Sequence, residues 1–327
     1  MLPWGMAKES DYRLGSDDPV LIVELSITSW CNYTCAYCVT TVQQRRGDSL
    51  HAFDRHPVSA WLAAFERIPF EISLLCRGGE PFLDHESFAP FLTGMGTSAK
   101  VRYVRVDTNG SWSPDRYASV PVDVRRKTQL NMSFHPTQIG LEVFSKRLGK
   151  IIAAGWHVAM VNYVMESHQA DDYERVRDFL EKEHGVYVNP NPDAFEAFDP
   201  DRVILPGRRS AQDPLRKLLP VIDAARKSGE PTSRKSCFFP SIGYFVSPDG
   251  TAERACGFVV PGQPRRFDFI RDSATIQPLA RAVSCPQPVC ACLDRYAFLE
   301  ETESRGREID LLNEYVRDCR AHQLASR

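Results

Sequence analysis

The chain has 327 residues, 40 Lys plus Arg against 42 Asp plus Glu, and a formal net charge of −2. With no basic stripe, nucleic acid is excluded as an expected partner; with no apolar run of membrane-span length, so is a bilayer-crossing helix. The 43% hydrophobic content is ordinary for one large or two smaller globular domains, and the opening Met1-Leu2-Pro3-Trp4-Gly5-Met6-Ala7-Lys8 lacks the apolar core of a signal peptide, so a cytoplasmic location is expected.

The first predicted strand, 21–28, runs almost at once into Trp30-Cys31-Asn32-Tyr33-Thr34-Cys35-Ala36-Tyr37-Cys38. The C-x3-C-x2-C spacing lets Cys31, Cys35 and Cys38 grip three corners of one cube-shaped iron–sulfur cluster. No fourth cysteine follows nearby, so the fourth iron stays open to a small molecule. Zinc also takes clustered thiolates, but usually as paired C-x2-C knuckles. A disulfide framework belongs to small secreted chains.

Further apolar, β-branched or aromatic runs predict strands at 70–76, 101–107, 129–134, 157–164 and 186–189. Helical patterns at 58–67, 86–94, 141–154 and 172–184 lie between them. Gly155 and Gly185 follow the last two helices as C-terminal punctuation. The connection around Pro114–Tyr117 is short. Repeated βα units imply a parallel sheet with right-handed crossovers, with chemistry collected at the C-terminal ends of the strands.

The second strand ends in Gly78-Gly79-Glu80-Pro81, about forty residues beyond the cysteines, room for one helix and one strand. The two motifs together resemble those of the radical S-adenosylmethionine (SAM, AdoMet) enzymes, with Tyr37 in the aromatic slot of C-x3-C-x-aromatic-C. The resemblance implies an α/β fold, a partial (β/α)6 TIM-like barrel over residues 1–190. It implies a 4Fe–4S cluster whose open iron is chelated by the amino and carboxylate groups of SAM. One electron, from a donor such as flavodoxin or ferredoxin, would then cleave SAM to methionine and a 5′-deoxyadenosyl radical that abstracts hydrogen from substrate.

On the same resemblance, the backbone of Gly78 and Gly79 and the Glu80 carbonyl receive the methionine ammonium. Asp107-Thr108-Asn109-Gly110 matches the family's Thr-Asn-Gly segment, which makes Asp107 and Asn109 cofactor candidates; Asn-Gly is also a common turn. Ser133, in Asn131-Met132-Ser133-Phe134-His135-Pro136, is placed to bind a ribose hydroxyl or the carboxylate, and Asn162 is a similar candidate. His135, just past a strand end, is the catalytic candidate, as base or hydrogen-bond donor; the alternative is a histidine packing near Pro136. Arg77 reads as a carboxylate or phosphate ligand or as half of a salt bridge. Glu24 is a strand carboxylate in need of a partner. Cys76 is a buried small hydrophobe or a hydrogen-donating thiol.

Residues 191–232, punctuated by Pro192, Pro200, Pro206 and Pro214, read as a bridge containing a helix at 215–227. Residues 233–327 read as a small module in need of a staple. There a hairpin of strands 244–246 and 251–255, turning at Pro248-Asp249-Gly250, is expected to bring Cys256 back beside Cys237. Cys285, Cys290 and Cys292 follow as C-x4-C-x-C. This resembles the SPASM or Twitch extension of radical SAM enzymes, without the C-x2-C-x3-C element of a full SPASM domain. The Twitch form implies one auxiliary 4Fe–4S cluster, held by Cys237, Cys256, Cys290 and Cys292, with Cys285 an alternative ligand; the same thiolates could hold a structural zinc.

The function expected is hydrogen abstraction from a small-molecule substrate of natural-product, aminocyclitol or sugar type, ending in oxidation or epimerisation. Size and cysteine layout are similar to the 2-deoxy-scyllo-inosamine dehydrogenase class. The second reading is crosslinking or epimerisation of a ribosomally made peptide, lowered because about twenty residues precede the first strand, too few for a peptide-recognition domain. The third, a structural zinc or iron–sulfur protein, leaves the Gly-Gly-Glu-Pro motif unexplained.

Overall fold

The computed structural model describes residues 20–47, 49–165, 169, 172–192, 236–237, 239–280 and 282–284. The bridge with its expected helix, and Cys285, Cys290, Cys292 and Cys319, lie outside the described residues. Six parallel strands pair in chain order: β1 (Leu21–Thr28), β2 (Ile72–Gly78), β3 (Val101–Thr108), β4 (Thr128–Phe134), β5 (His157–Met165) and β6 (Val188–Pro192). The expected strands are all present, β6 beginning two residues later than its apolar run.

The helices between β1 and β6 are α1 (Val39–Arg45), α2 (Ala52–Arg55), α3 (Val58–Arg67), α4 (His85–Thr97), α5 (Val122–Lys127), α6 (Leu141–Ala153) and α7 (Tyr173–His184). The first two and α5 are too short to display a helical period, and pattern reading passes over them. Among the described residues no helix is long and apolar enough to cross a membrane.

One face of the sheet is hydrocarbon. Leu25, Cys76 and Val106 pair across β1–β2–β3 and are fully buried in the core that packs against the helices. Cys76 belongs to this packing: burial pushes its thiol well above the usual range, and it lies on the helix side of the strand. An aromatic cluster fills the core behind the end of β2. Phe82 stacks on Trp112 with centroids 4.1 Å apart, and Tyr117 and Trp156 meet it edge-on. The Tyr117 hydroxyl donates to the Phe82 carbonyl (2.9 Å) and Trp112 Nε1 to Thr108 Oγ1 (3.1 Å).

The C-terminal hairpin forms as expected, β8 (Gly243–Val246) and β9 (Thr251–Arg254) around Gly250 at φ +87°. It also lengthens the parallel sheet. β8 runs parallel to β1, Val23 opposite Tyr244, and β10 (Arg266–Asp268) follows β9. A separate strand pair, β7 (Ser236–Cys237) with β11 (Val283–Ser284), sets Val283 opposite Cys237.

Phe82→Ala removes the stacking partner beneath the Gly-Gly-Glu-Pro turn and should cost about 3–5 kcal/mol. Thermal unfolding of the full chain should show a fall in Tm on the order of 10 °C.

Candidate functional site

The loop between β1 and α1 carries all three N-terminal cysteines, and the ends of three neighbouring strands hold it. From β2, the Gly79 amide donates to the Thr28 carbonyl (2.6 Å) and the Glu80 amide to the Trp30 carbonyl (2.7 Å). The approach requires glycine. Gly78 has φ +143°, and a Cβ there would collide with the Thr28 carbonyl, as one on Gly79 would with that of Trp30. From β3, Asn109 Nδ2 donates to Asn32 Oδ1 (3.0 Å) and faces Cys31 Sγ at 3.6 Å. After β4, His135 Nδ1 meets the Tyr37 hydroxyl at 2.7 Å, and Gln138 Oε1 accepts from the Thr34 amide at 3.1 Å. Gln44 closes the loop on itself through the Cys31 carbonyl (3.0 Å).

Glu80 joins these parts. Its fully buried carboxylate accepts from the Asn109 amide (2.6 Å), the Thr108 hydroxyl (2.8 Å) and the Phe82 amide (3.1 Å). Burial pushes the carboxyl up to about 7, against the downward pull of the donors from Asn109, Thr108 and Phe82. A carboxyl whose folded pKa exceeds its unfolded value favours the folded state when protonated. Its contribution is therefore full below about pH 4.5 and is lost as the pH climbs through about 7.

Polar hydrogens surround the sulfurs. Cys31 Sγ accepts from the Tyr33 amide at 3.4 Å, Cys38 Sγ lies 2.9 Å from the Thr40 hydroxyl, and Cys35 Sγ lies 3.8 Å from His135 Nδ1. Such donors stabilise thiolate ligands and tune a cluster. Burial raises the Cys31 thiol to about 11, the Tyr33 amide opposing it, with Glu80, Cys38 and Cys35 adding to the rise. It therefore loses its proton only when a cation arrives. Among the described residues no three His, Cys, Asp or Glu side chains converge on a single-ion site.

His135 packs against this loop. It stacks on Tyr37 (6.1 Å between centroids) and meets Tyr33 edge-on (5.9 Å). Burial lowers its pKa to about 4. The ring is neutral at pH 7, and its Nδ1 shares one hydrogen bond with the Tyr37 hydroxyl. Ser133 is level with Asn162 on β5, whose Oδ1 accepts from Asn189 Nδ2 (2.9 Å). Asp107 is gripped by Arg105 through Nε (2.8 Å) and Nη2 (3.2 Å). Arg77 supplies the partner that Glu24 needs, Nη1 to Oε1 at 2.8 Å.

At the other cluster of cysteines, Cys237 is buried on β7, and Cys256 sits in a turn at φ 59°, a conformation costly for a residue with a Cβ. The helical turn Phe239–Ile242 packs against the turn Ala255–Gly257 that holds Cys256. Cys285, Cys290 and Cys292 lie outside the described residues. Pattern reading misses Asn32, Gln44 and Gln138: neutral amides that brace a loop leave no spacing signal, and only their neighbours in space give them meaning.

No family model and no curated protein matches the chain. Solved structures do. The structure described as native anSMEcpe with bound AdoMet has a TM-score of 0.52 at 14% identity, covering 90% of this chain and 96% of that one. The same protein with AdoMet and the Kp18Cys peptide gives 0.51, again at 14% identity, over 90% and 99%. Streptococcus suis SuiB gives 0.50 at 12% identity, over 78% of this chain and 65% of that one. The likeness is one of fold: a mixed α/β arrangement built on a largely parallel sheet.

Gly79→Ala should lower stability by about 1–3 kcal/mol or more through overpacking against the Trp30 carbonyl, read by urea unfolding. Glu80→Gln sets an N–H against one of the three donors and should cost about 1–3 kcal/mol. The gap between wild type and this variant should narrow from about pH 5 to about pH 8, because only the wild type has a carboxyl to lose its proton.

Proposed function

We propose that the chain is a radical SAM enzyme acting on a small polar molecule. The observation that carries this reading is the joint seating of the Cys31–Cys35–Cys38 loop and the Gly78-Gly79-Glu80 clamp, with Asn109 between them. Cys31, Cys35 and Cys38 would hold a 4Fe–4S cluster, and the strand-end groups Tyr37, Gly78, Gly79, Glu80, Asp107, Asn109 and Ser133 would receive SAM. When bound, the cluster supplies an electron that splits SAM and yields the radical that takes hydrogen from substrate. The chain's own share is placement. Glu80 fixes Asn109 and the clamp, Tyr37 and His135 brace one another, and the apolar core behind β2 keeps water from the clamp. A neutral His135 would act as a base or a hydrogen-bond donor towards substrate.

The C-terminal module, 233–327 beyond a bridge at 191–232, would carry an auxiliary 4Fe–4S cluster on Cys237, Cys256, Cys290 and Cys292. Cys285 would be the alternative ligand. An auxiliary cluster favours oxidation of the substrate. So does the position of Cys76: a thiol sealed in the helix-side core cannot quench a substrate radical by returning hydrogen. A flavodoxin- or ferredoxin-type donor and a cytoplasmic setting complete the reading.

A second reading, modification of a ribosomally made peptide, is favoured by the fold shared with anSMEcpe, of which one structure holds a peptide. Anaerobic turnover with deuterated candidates separates the two: label should arrive in 5′-deoxyadenosine from a small polar molecule and not from a peptide.

Replacing Cys31, Cys35 or Cys38 by alanine should abolish reductive SAM cleavage and remove about four of about eight irons, the other four remaining with the C-terminal cysteines. Cleavage retained in any of the three variants would sink the assignment. Four irons accompanied by zinc in the wild type would favour a structural zinc site in the C-terminal module.

A further inference from the structure

The hairpin of β8 and β9 shows its two faces to different surroundings. Tyr244 is level with Val23 on β1 and opposite Arg254 on β9, and Val23 lies two residues before Leu25, on the helix side of the sheet. Residues level across a sheet point to one side, and residues two apart along a strand share it. Glu24 and Phe245, one level on, point the other way, to the face that carries the Arg77–Glu24 and Arg105–Asp107 pairs. The helix side of the hairpin borders a cavity of about 390 Å³, within the roughly 300–1,000 Å³ usual for small-molecule sites. None of its lining residues belongs to the cysteine loop or to the Gly78-Gly79-Glu80 clamp.

The walls are apolar and aromatic: Tyr244, Phe258, Val260 and Phe267, with Phe267 meeting Tyr244 edge-on at 6.2 Å. Arg254 lines the same cavity. It is 7% exposed, and its guanidinium carbon sits 4.9 Å from the centre of the Tyr244 ring. It donates only to main-chain carbonyls, Nη1 to Pro240 and Ser241 at 3.4 Å each and Nη2 to Gln277 at 2.6 Å. Among the described residues no carboxylate pairs with it. The nearby carboxylates are engaged elsewhere: Glu253 with Arg265 (3.6 Å) and Arg266 (3.2 Å), and Asp272 with Arg271 (2.9 Å). A buried cation without a counter-charge is costly. A guanidinium also has more N–H donors than these carbonyls use. Arg254 Nε meets no acceptor among the described residues, and it is not one of the nitrogens sealed from solvent, so it stays open to a ligand.

We infer that this cavity is a second ligand site, apart from the proposed SAM site, and that it takes a small organic acid with one carboxylate on a flat apolar body. The carboxylate supplies the counter-charge that Arg254 lacks and accepts from its open N–H. The body lies among the aromatic walls, where burial of apolar surface adds affinity. A cation would be repelled by Arg254. A neutral molecule of the same shape would leave the buried charge uncompensated. A dianion would bring a second negative charge to a cavity that Asp272 also lines. The inference uses no residue of the cysteine loop or the clamp, and it stands apart from the reading under Proposed function.

The test is calorimetry on the anaerobically reconstituted full chain. Benzoate is the probe, against benzamide, benzylamine, phenyl phosphate, acetate and a tetrapeptide ending in phenylalanine. Benzoate should bind with a Kd of about 1 mM or tighter, and each comparison compound about tenfold weaker or more. Saturating SAM should leave the benzoate affinity unchanged. Arg254→Gln should weaken benzoate about tenfold or more, the worth of one charge-assisted hydrogen bond, with the fold checked by circular dichroism. Arg254 also ties three carbonyls, so a second variant spares them: Val260→Asp sets a negative charge on the cavity wall and should weaken benzoate by a similar factor. Absence of saturable benzoate binding, displacement of benzoate by SAM, or unchanged affinity in Val260→Asp would each overturn the inference. So would equal or tighter binding of any comparison compound; for the tetrapeptide, that result would assign the cavity to a chain end instead of a free acid.

Discussion

The site depends on one buried carboxylate. Glu80 receives hydrogen bonds from the chain after β2 and from the end of β3, and its own amide reaches back to the loop after β1. Three strands are thereby fixed at one point, and everything proposed for the cysteine loop relies on that point. A carboxyl group is suited to the task, since its two oxygens accept from several donors at once. The cost of burying it is offset by three donors and by the aromatic packing of Phe82, Trp112, Tyr117 and Trp156 beneath. The two glycines before it let backbone meet backbone where any side chain would intervene.

The sheet divides its labour between two faces. The helix side takes Leu25, Cys76 and Val106 and supplies hydrophobic stability. The other side carries paired charges and amides that contribute less to stability, since exchanging water for an internal ion pair yields little net energy. Position along the strands then orders the chemistry, with paired charges lower down and the cysteine loop at the C-terminal ends, as open parallel sheets and barrels arrange it.

Most of the parallel sheet was legible in the sequence because its strands are buried on both faces along most of their length and announce themselves as apolar, β-branched runs. The hairpin around Gly250 was legible from its turn residues. That β8 would extend the sheet by pairing with β1 was not, because nothing local to Gly243–Val246 names a partner. Helices α1, α2 and α5 were too short to show a period. In the site, the glycines were readable because close backbone approach demands one residue type, and the cysteines stood out by their spacing alone. Glu80 was readable through its motif, but not its role as a hub. Asn32 and Gln138 carried no signal, and the pairing of Arg77 with Glu24 needed the register of β1 on β2.

The central claim is that the Cys31–Cys35–Cys38 loop presents an open iron to SAM beside the Gly78-Gly79-Glu80 clamp. Electron–nuclear double resonance on the reduced full chain tests it most directly, using SAM labelled with nitrogen-15 in the amino group and oxygen-17 in the carboxylate. Hyperfine coupling from both nuclei to a reduced cluster is the predicted result. A reduced cluster indifferent to both labels, or a loop that holds zinc and no iron, would contradict the account.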